Sequence, residues 1–251
     1  MNSKRKPWTR QRVRNTLLLF TFLLFPVVMN FLSPYVIIDG AFQGIITGSF
    51  IVFTALFISS LFFGRLWCSW ICPAAGLQEA CFAANNRQVN GKRLNWIKWV
   101  IWFLWLGVII LGFIMAGGVK SVDFLHLTES GISVDSPQKY VIYYFVLGIV
   151  FSLSIFVGRR TFCHAGCWMA PFMITGRKIR NGLNLPALRL TAETEKCINC
   201  NKCSRVCSMS LDVNAMVQSG NMENAECILC GKCIDNCPEK VIHYTFKPGH
   251  N

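Results

Sequence analysis

The sequence predicts an all-α polytopic membrane domain of four transmembrane helices, followed by a small cysteine-rich α+β domain. Three observations predict this architecture. Of the 251 residues, 53% are hydrophobic and only 15% are charged, which is unusual for a soluble protein. Four apolar segments qualify as membrane spans, since a spanning helix needs about 20 apolar residues. Eight of the 13 cysteines fall within residues 197–237.

The four predicted spans follow a basic cytoplasmic N-terminus at residues 1–16 and belong to a membrane domain at residues 17–175. Pro26 predicts a kink in the first span, as lipid-buried helices tolerate. Buried helices of a soluble domain are the alternative for each segment. A cleaved signal peptide is disfavoured because no A-x-A site follows the first segment. The predicted spans are residues 17–32 with an extension toward residue 38, 41–63, 96–116 and 140–157.

The distribution of Lys and Arg predicts the orientation of these spans. Six basic residues lie in residues 4–14, five in residues 65–98 and five in residues 159–180, whereas the two other loops carry little positive charge. Cytoplasmic flanks of spans are enriched in Lys and Arg. We therefore expect a multi-pass protein of the cytoplasmic (inner) membrane with both termini in the cytoplasm. The net charge of +13 also fits nucleic-acid binding, but its spread over three flanks disfavours a nucleic-acid partner.

Residues 197–237 contain C-x2-C-x2-C-x3-C, nineteen further residues, and C-x2-C-x2-C-x3-C-P. This is the bacterial two-cluster spacing, in which the fourth cysteine of each run ligates the other cluster. We expect two [4Fe-4S] clusters in a ferredoxin-like domain at residues 196–251, after a linker at residues 176–195. The predicted ligands are Cys197, Cys200, Cys203 and Cys237 for cluster 1, and Cys227, Cys230, Cys233 and Cys207 for cluster 2.

Disulfides and zinc are the alternatives for these eight cysteines. A reducing compartment disfavours disulfides, and zinc sites usually present paired C-x2-C units rather than triplets with a trailing cysteine. One departure from symmetry is Ser208, which stands where the second run has Pro238. It removes no ligand. Because a domain of this size buries little core, we expect metal ligation to supply much of its folding free energy.

Two further cysteine pairs occur in similar contexts, "FFGRLWCSWICPAAG" and "FVGRRTFCHAGCWMAPF". Each follows two predicted spans, which indicates a repeat of a two-helix unit about an axis along the membrane normal. We expect the two C-x3-C loops to face each other at the membrane edge and to form a candidate additional metal site, with an iron-sulfur cluster as the first choice. Packing cysteines are the alternative. The four cysteines of this set are Cys68, Cys72, Cys163 and Cys167.

Three neighbouring residue types bear on this second set. Arg65, Arg159 and Arg160 would lower thiol pKa values and offset the negative charge of a cluster. Cys81 has no counterpart in the repeat and is expected to be structural. His164 lies inside the second C-x3-C, but a lone histidine is more often a hydrogen-bonding residue than a ligand.

The loops "CSWICP" and "CHAGCWMAP", the four spans and the paired runs together resemble the membrane subunit of quinol dehydrogenases that feed periplasmic nitrate reductase. They also resemble the cluster-bearing half of the nitrous-oxide reductase accessory protein. The resemblance covers residues 15–245 and implies electron transfer between the quinone pool and a partner redox protein. The family has proline directly after each C-x3-C. Here Cys72 precedes Pro73, but "WMA" separates Cys167 from Pro171, so the two loops need not have equal roles.

Haem is not predicted. The four histidines, His126, His164, His243 and His250, all lie outside the middle of the predicted spans, and C-x-x-C-H is absent from the sequence. The outer loop at residues 119–133 holds Asp123, His126 and Glu129, a set that could accept quinol protons. An ordinary amphipathic loop on the membrane surface is the interpretation we favour.

The sequence therefore predicts a membrane-anchored iron-sulfur protein that relays electrons within a larger oxidoreductase. No side-chain set with a nucleophile and a general base is evident, so any enzyme activity belongs to the complex. The alternative is a ferredoxin-type assembly factor that reduces metal or thiols for another metalloprotein. A transporter is disfavoured because the predicted spans lack charge.

Overall fold

The computed structural model describes residues 9–128 and 131–249. It is mostly helical, with two small sheets. The helices are α1 Arg10–Leu23, α2 Phe25–Val28, α3 Pro34–Gln43, α4 Gly48–Phe63, α5 Leu66–Trp70, α6 Pro73–Ala80, α7 Gly91–Met115, α8 Pro137–Phe156, α9 Thr161–Ala165, α10 Ala170–Gly182, α11 Lys202–Arg205, α12 Val213–Gln218 and α13 Lys232–Asp235, and the strands are β1 Ile45–Thr47, β2 Ser121–Asp123, β3 Ala187–Ala192 and β4 Ile242–Lys247.

The first two predicted spans are not continuous helices. Residues 17–32 are divided among α1, the short α2 and a 3-10 turn at Asn30–Leu32. Pro26 lies in the first turn of α2 and Pro34 begins α3, where the missing proline N–H breaks no helical hydrogen bond. The proline at residue 26 therefore ends one helix and starts another rather than kinking a single one.

The second predicted span, residues 41–63, is interrupted at Gly44, whose φ of 75° ends α3 in the left-handed conformation. β1 follows and pairs in parallel with β2, in the register Ile45 with Ser121. The Thr47 side chain then caps α4 by accepting from the backbone N–H of Phe50. The chain leaves α3 and enters α4 through a short sheet at the end of the helical bundle.

The third and fourth predicted spans correspond to the two longest helices, α7 with 25 residues and α8 with 20. Of the described residues, these are the two helices long and apolar enough to cross a membrane, while the apolar α4 is shorter. Only 22% and 17% of their most apolar stretches are buried. Core helices of soluble proteins bury an apolar face, so these helices present apolar surface to an apolar environment or a partner.

The two C-x3-C segments share one local fold. In each, a long apolar helix leads to a five-residue helix and then to a helix with proline in its first turn: α4, α5 and α6 in the first copy, and α8, α9 and α10 in the second. The copies interlock, because α10 packs against α4 and α6 contacts α8. Gly176 lets α10 approach α4 so closely that an added Cβ would collide with the Ser60 side chain.

The predicted linker, residues 176–195, is largely regular structure. α10 continues to Gly182, and β3 pairs antiparallel with β4 from Ala187 opposite Lys247 to Ala192 opposite Ile242. Backbone hydrogen bonds thus join the chain before the cysteine runs to the chain after them. The cysteine-rich unit is closed by its own sheet and attached to the bundle through α10.

Candidate metal centres

The eight cysteines of the tail divide between two cavities. The first is walled by four cysteines together with Val217, Val241 and Ile242. The second is walled by the other four together with Met209, Met222 and Ile228. The first set is Cys197, Cys200, Cys203 and Cys237, and the second set is Cys207, Cys227, Cys230 and Cys233.

The two runs form these walls with matching backbones. Asn199 and Leu229 both have φ of 54°, and Asn201 and Gly231, two residues later, have φ of 58° and 74°. Each run then enters a four-residue helix, α11 or α13. Left-handed residues curl the chain so tightly that successive cysteines point into one space. For Leu229 this conformation is strained, as expected where a site imposes the backbone shape.

The donor chemistry of these cavities fits an iron-sulfur cluster, because four cysteines line each of them. Among the described residues, no three His, Cys, Asp or Glu side chains lie close enough to hold one metal ion. A cubane takes one thiolate on each iron, so its ligands stand further apart than those of zinc. Burial raises the pKa of Cys207 to about 12 and that of Cys233 well above its ordinary value. Ligation would therefore require a strong Lewis acid in the cavity to favour the thiolates.

The second cavity is attached to the helical bundle by hydrogen bonds to its backbone. Arg177 of α10 donates to the Cys227 carbonyl over 2.7 Å, and Gln11 of α1 donates to the Cys230 carbonyl over 2.9 Å. Beside the first cavity, Ile198 is 60% exposed. The second cavity is therefore anchored to the bundle, while the first has an exposed residue in its lining.

The cysteines of the C-x3-C loops form a separate buried group. Cys68, Cys72, Cys163 and Cys167 are all buried. Burial raises the pKa of Cys72 well above its ordinary value, and the other three cysteines raise it further through their charge. Burial and the neighbouring charges of Cys163 and Cys68 raise the pKa of Cys167 to about 12. The structure thus brings the predicted set into one electrostatic neighbourhood.

Neutral partners also contact this group. Gln78 Nε2 lies 3.2 Å from Cys163 Sγ, and Cys68 Sγ lies 3.9 Å from Met173 Sδ. Gln78 follows the first loop on α6 and Met173 follows the second on α10, so each loop is contacted from the opposite copy. Such reciprocal contacts are expected when two copies of the same helical unit pack against each other.

Arg65 is the main positive charge acting on the thiol of Cys68 in the C-x3-C group. It is fully buried, and its charge lowers the pKa of Cys68, against the larger raising effect of burial. Its Nη1 donates to Glu226 over 2.6 Å, while Nε and Nη2 have no hydrogen-bond partner in the described part of the chain. Unpartnered buried N–H donors beside four thiols fit an additional anionic group, as a thiolate-ligated cluster would be.

The equivalent arginine of the second copy, Arg160, is held differently. It precedes Cys163 by three residues, as Arg65 precedes Cys68. Arg160 Nη1 donates to the Cys68 carbonyl over 2.7 Å, and Nη2 pairs with Glu79 of α6. Glu79 also pairs with Arg14 and Lys232. This carboxylate consequently joins α1, α9 and the cysteine-rich unit.

Sequence reasoning missed Glu79 and Glu226, since nothing in the local pattern assigns them a partner. One signal was available: Glu79 is the only acidic residue between Asp39 and Asp123. A lone carboxylate in a basic, apolar stretch is rarely left unpaired when buried. Both carboxylates neutralise the arginines that precede the C-x3-C cysteines.

The remaining predicted residues lie outside these groups. His126 Nε2 lies 2.7 Å from Asp39, and its Nδ1 lies 3.5 Å from Asp123; Glu129 and His250 fall outside the described residues. Cys81 is buried apart from the two sets. His164 Nδ1 bonds to Asn95 at 2.8 Å, and burial lowers the pKa of its imidazole to about 4. His164 is thus neutral at physiological pH.

Comparison with known proteins identifies the class. A model described as a 4Fe-4S binding domain matches the chain twice, at residues 45–88 and 140–186. A 4Fe-4S dicluster domain matches residues 168–249. The double match falls on the two C-x3-C copies, in agreement with the predicted repeat. The chain therefore carries 4Fe-4S domains of the ferredoxin type.

The particular relatives confirm the resemblance seen in the sequence. Ferredoxin-type protein NapH of Haemophilus influenzae is 24% identical over 198 residues, which cover 74% of this chain and 64% of NapH. Methylamine utilization ferredoxin-type protein MauN of Paracoccus denitrificans is 26% identical over 223 residues, 82% of this chain and 70% of MauN. YccM of Escherichia coli is 21% identical over 212 residues, 81% of this chain and 57% of YccM. The chain spans less than two thirds of NapH and YccM, and no solved structure matches it. The chain is therefore similar to ferredoxin-type electron-transport proteins.

Proposed function

We propose that the chain is a membrane-anchored relay that passes single electrons between the quinone pool and a partner redox protein. One observation carries this proposal: the second cavity is hydrogen-bonded to α1 and α10 of the bundle that holds the C-x3-C group. Arg160 supports this proximity, because the charges of both Cys163 and Cys230 act on its guanidinium. Iron-sulfur clusters bound at these positions would supply one-electron chemistry.

The proposed ligands follow the walls of the cavities. Cys197, Cys200, Cys203 and Cys237 hold the outer [4Fe-4S] cluster, and Cys227, Cys230, Cys233 and Cys207 hold the inner one. The C-x3-C group holds a third. In this assignment Arg65 stabilises the anionic third site, and Arg177 and Gln11 fix the backbone of the inner loop. Transmembrane haem has no part in this relay.

The proposed anchor consists of four crossings with both termini in the cytoplasm. α7 and α8 each cross alone, residues 17–32 cross as the interrupted helices α1 and α2, and residues 41–63 cross mainly as α4. Support comes from the apolar exposure of the long helices, such as Leu104 at 69% and Phe145 at 68%, and from the three basic flanks.

A quinol titration tests the proposed function. Protein purified anaerobically into lipid nanodiscs is mixed with decylubiquinol, and reduction is followed by visible absorbance and paramagnetic resonance. Each quinol oxidised releases two electrons and two protons, so a relay predicts two reduced centres for every quinone formed. Reduction by a soluble cytoplasmic donor alone, with no response to quinol, would support the assembly-factor alternative instead.

Iron counting tests the third site. We expect about twelve irons and twelve sulfides per chain for three cubanes, against about eight of each for two. The double variant Cys68→Ser, Cys163→Ser should drop from the higher count to the lower one. The matched control is Cys81→Ser, which changes a buried cysteine outside both sets. Equal counts in the wild type and the double variant would remove the third cluster from the relay.

A further inference from the structure

An apolar groove of about 340 Å³ runs between α8 and the two C-x3-C loops. One wall consists of α8, with Val146 near its middle. The opposite wall consists of the break after α2 and the start of α6. The lining includes Cys72 itself, together with Trp168 and Met169, the two residues that follow Cys167. The groove therefore touches the C-x3-C group from the side of the bundle.

The groove is accessible from the apolar surface of the protein. Phe145 and Ile149 belong both to the lining and to the exposed face of α8, at 68% and 40% exposure. If α8 crosses the membrane, this opening faces hydrocarbon at the depth of the helix middle. A hydrophobic molecule dissolved in the bilayer could enter without passing through water, whereas a charged or water-soluble one could not.

Hydroxyl-bearing residues belong to the lining, although almost all of its surface is apolar. Ser33 and Tyr35 line the groove, and neither side chain donates or accepts a hydrogen bond within the described ranges. The Trp168 indole N–H is not available, because it donates to the Leu32 carbonyl over 3.0 Å. An apolar channel with a few free polar groups is the usual form of a site for a small, mostly apolar ligand with polar substituents.

The outer loop is a poorer site for a redox carrier. Its Asp123 pairs with Thr47 in the β1–β2 sheet, immediately before α4, whereas Arg65 lies just beyond the other end of that helix. Sixteen residues of α-helix span ~24 Å. The groove, in contrast, has a cysteine of the candidate metal site in its wall.

We propose that this groove binds an isoprenoid quinone, with the ring beside Cys72 and the tail along α8. This inference rests on the proposed electron relay and adds the place where its lipid-soluble partner binds. The side chains of Phe145, Val146 and Ile149 contact the tail.

Filling the groove tests the location. Val146→Trp places a large side chain in the lining, and Val141→Trp on the same helix is the matched control, since Val141 is 71% exposed and outside the lining. Binding of decylubiquinone to nanodisc-embedded protein is measured by equilibrium dialysis. We expect Val146→Trp to weaken binding at least about tenfold and Val141→Trp to leave it unchanged. Iron content and reduction by dithionite should stay at wild-type values in both.

Photolabelling of the wild type is independent of variant folding. An azido-ubiquinone with a ten-carbon tail is irradiated with the protein and the labelled peptides are identified by mass spectrometry. Label within residues 142–150 or 168–169 is expected. Label confined to residues 119–133 would overturn the inference. It would also be overturned if dodecane displaced the probe as well as unlabelled decylubiquinone does, because the groove would then bind acyl chains.

These outcomes separate this inference from the proposed function. If decylubiquinol reduces the wild type and Val146→Trp equally well, the relay stands and the groove is not its quinone site. If decylubiquinol reduces neither protein while dithionite reduces both, the quinol relay itself is wrong. Loss of quinol reduction in Val146→Trp alone supports both.

Discussion

Arg65 Nη1 lies 2.6 Å from Glu226 Oε2, and this ion pair joins the first C-x3-C loop to the residue that precedes Cys227. Lys98 of α7 shares the same carboxylate at 2.7 Å. Burial raises the pKa of Glu226, but the charges of Arg65 and Lys98 outweigh it and lower the pKa to about 2. One carboxylate therefore holds the bundle and the cysteine-rich unit together between the two proposed redox groups.

Replacing the Glu226 carboxylate should weaken the contact between the helical bundle and the cysteine-rich unit. Glu226→Gln keeps the side-chain size but leaves two buried cations without a counter-charge, and breaking a buried pair costs about 3–5 kcal/mol. We expect the protein to unfold at a lower concentration of guanidinium chloride, as followed through the visible absorbance of the clusters. We also expect faster proteolysis between α10 and β3. The control is Glu195→Gln, at an exposed carboxylate. Identical midpoints for the two variants would show that the pair does not hold the junction.

The Glu79 network predicts an acid-sensitive contribution to stability. Burial raises the pKa of this carboxyl, but Arg160, Arg14 and Lys232 outweigh burial and hold the pKa well below its ordinary value of 4.5. A carboxyl with a lower pKa in the folded state stabilises the fold above its unfolded pKa, and that contribution is lost as the pH falls toward the folded pKa.

We expect the wild type to lose stability faster than Glu79→Gln below about pH 5. Above that pH the variant should be the less stable protein by about 3–5 kcal/mol, because Arg14 and Arg160 remain buried without their carboxylate. The measurement is the thermal midpoint at several pH values, with iron content recorded on the same samples. Parallel pH profiles for the two proteins would contradict the assignment.

The crossed arrangement of cysteines can be tested by partial removal of ligands. A variant with serine at Cys197, Cys200 and Cys203 should keep the inner cluster, because Cys207 belongs to the inner cavity. Adding Cys207→Ser should lower the iron and sulfide content further, whereas adding Cys237→Ser should not. Iron and sulfide analysis with paramagnetic resonance provides the measurement, and the reverse pattern would mean that each run ligates its own cluster.

The contact between α10 and α4 predicts a difference between two glycines of the same helix. A Cβ at Gly176 would collide with Ser60 and lie 3.0 Å from the Phe57 carbonyl oxygen, whereas a Cβ at Gly182 meets nothing within 4 Å. Gly176→Ala should destabilise the protein by about 1–3 kcal/mol. Gly182→Ala should be neutral or stabilising by up to about 1 kcal/mol, since alanine favours helix. Thermal midpoints check both, and equal midpoints would argue against this close helix contact.

The sequence predicted those features that depend on local pattern. Cysteine spacing indicated the two runs, and the repeated Gly-Arg and C-x3-C contexts indicated two copies with matching helices. Hydropathy placed α7 and α8 within a few residues of their ends. Each of these features depends on residues that are close together in the sequence.

The features that sequence reasoning missed depend on distant contacts. Hydropathy assigns residues 17–32 and 41–63 to continuous spans because it does not register how Pro34 and Gly44 redirect the backbone. It also treats residues 176–195 as a linker, although β3 forms only because β4, about 50 residues later, supplies its hydrogen-bond partners. The pairing of Arg65 with Glu226 joins residues 161 positions apart, so no local signal could assign it.

The shared carboxylate at Glu226 also sets an order of events during biogenesis. Arg65 and Lys98 are translated long before residue 226, so both cations must remain hydrated until that carboxylate has been made. Their burial waits for the C-terminal segment to leave the ribosome and fold. Since Cys227 is the next residue, maturation of the inner thiolate pocket and final closure of the bundle become one coupled step, and a chain that fails to acquire iron would expose unneutralised cations to quality-control proteases.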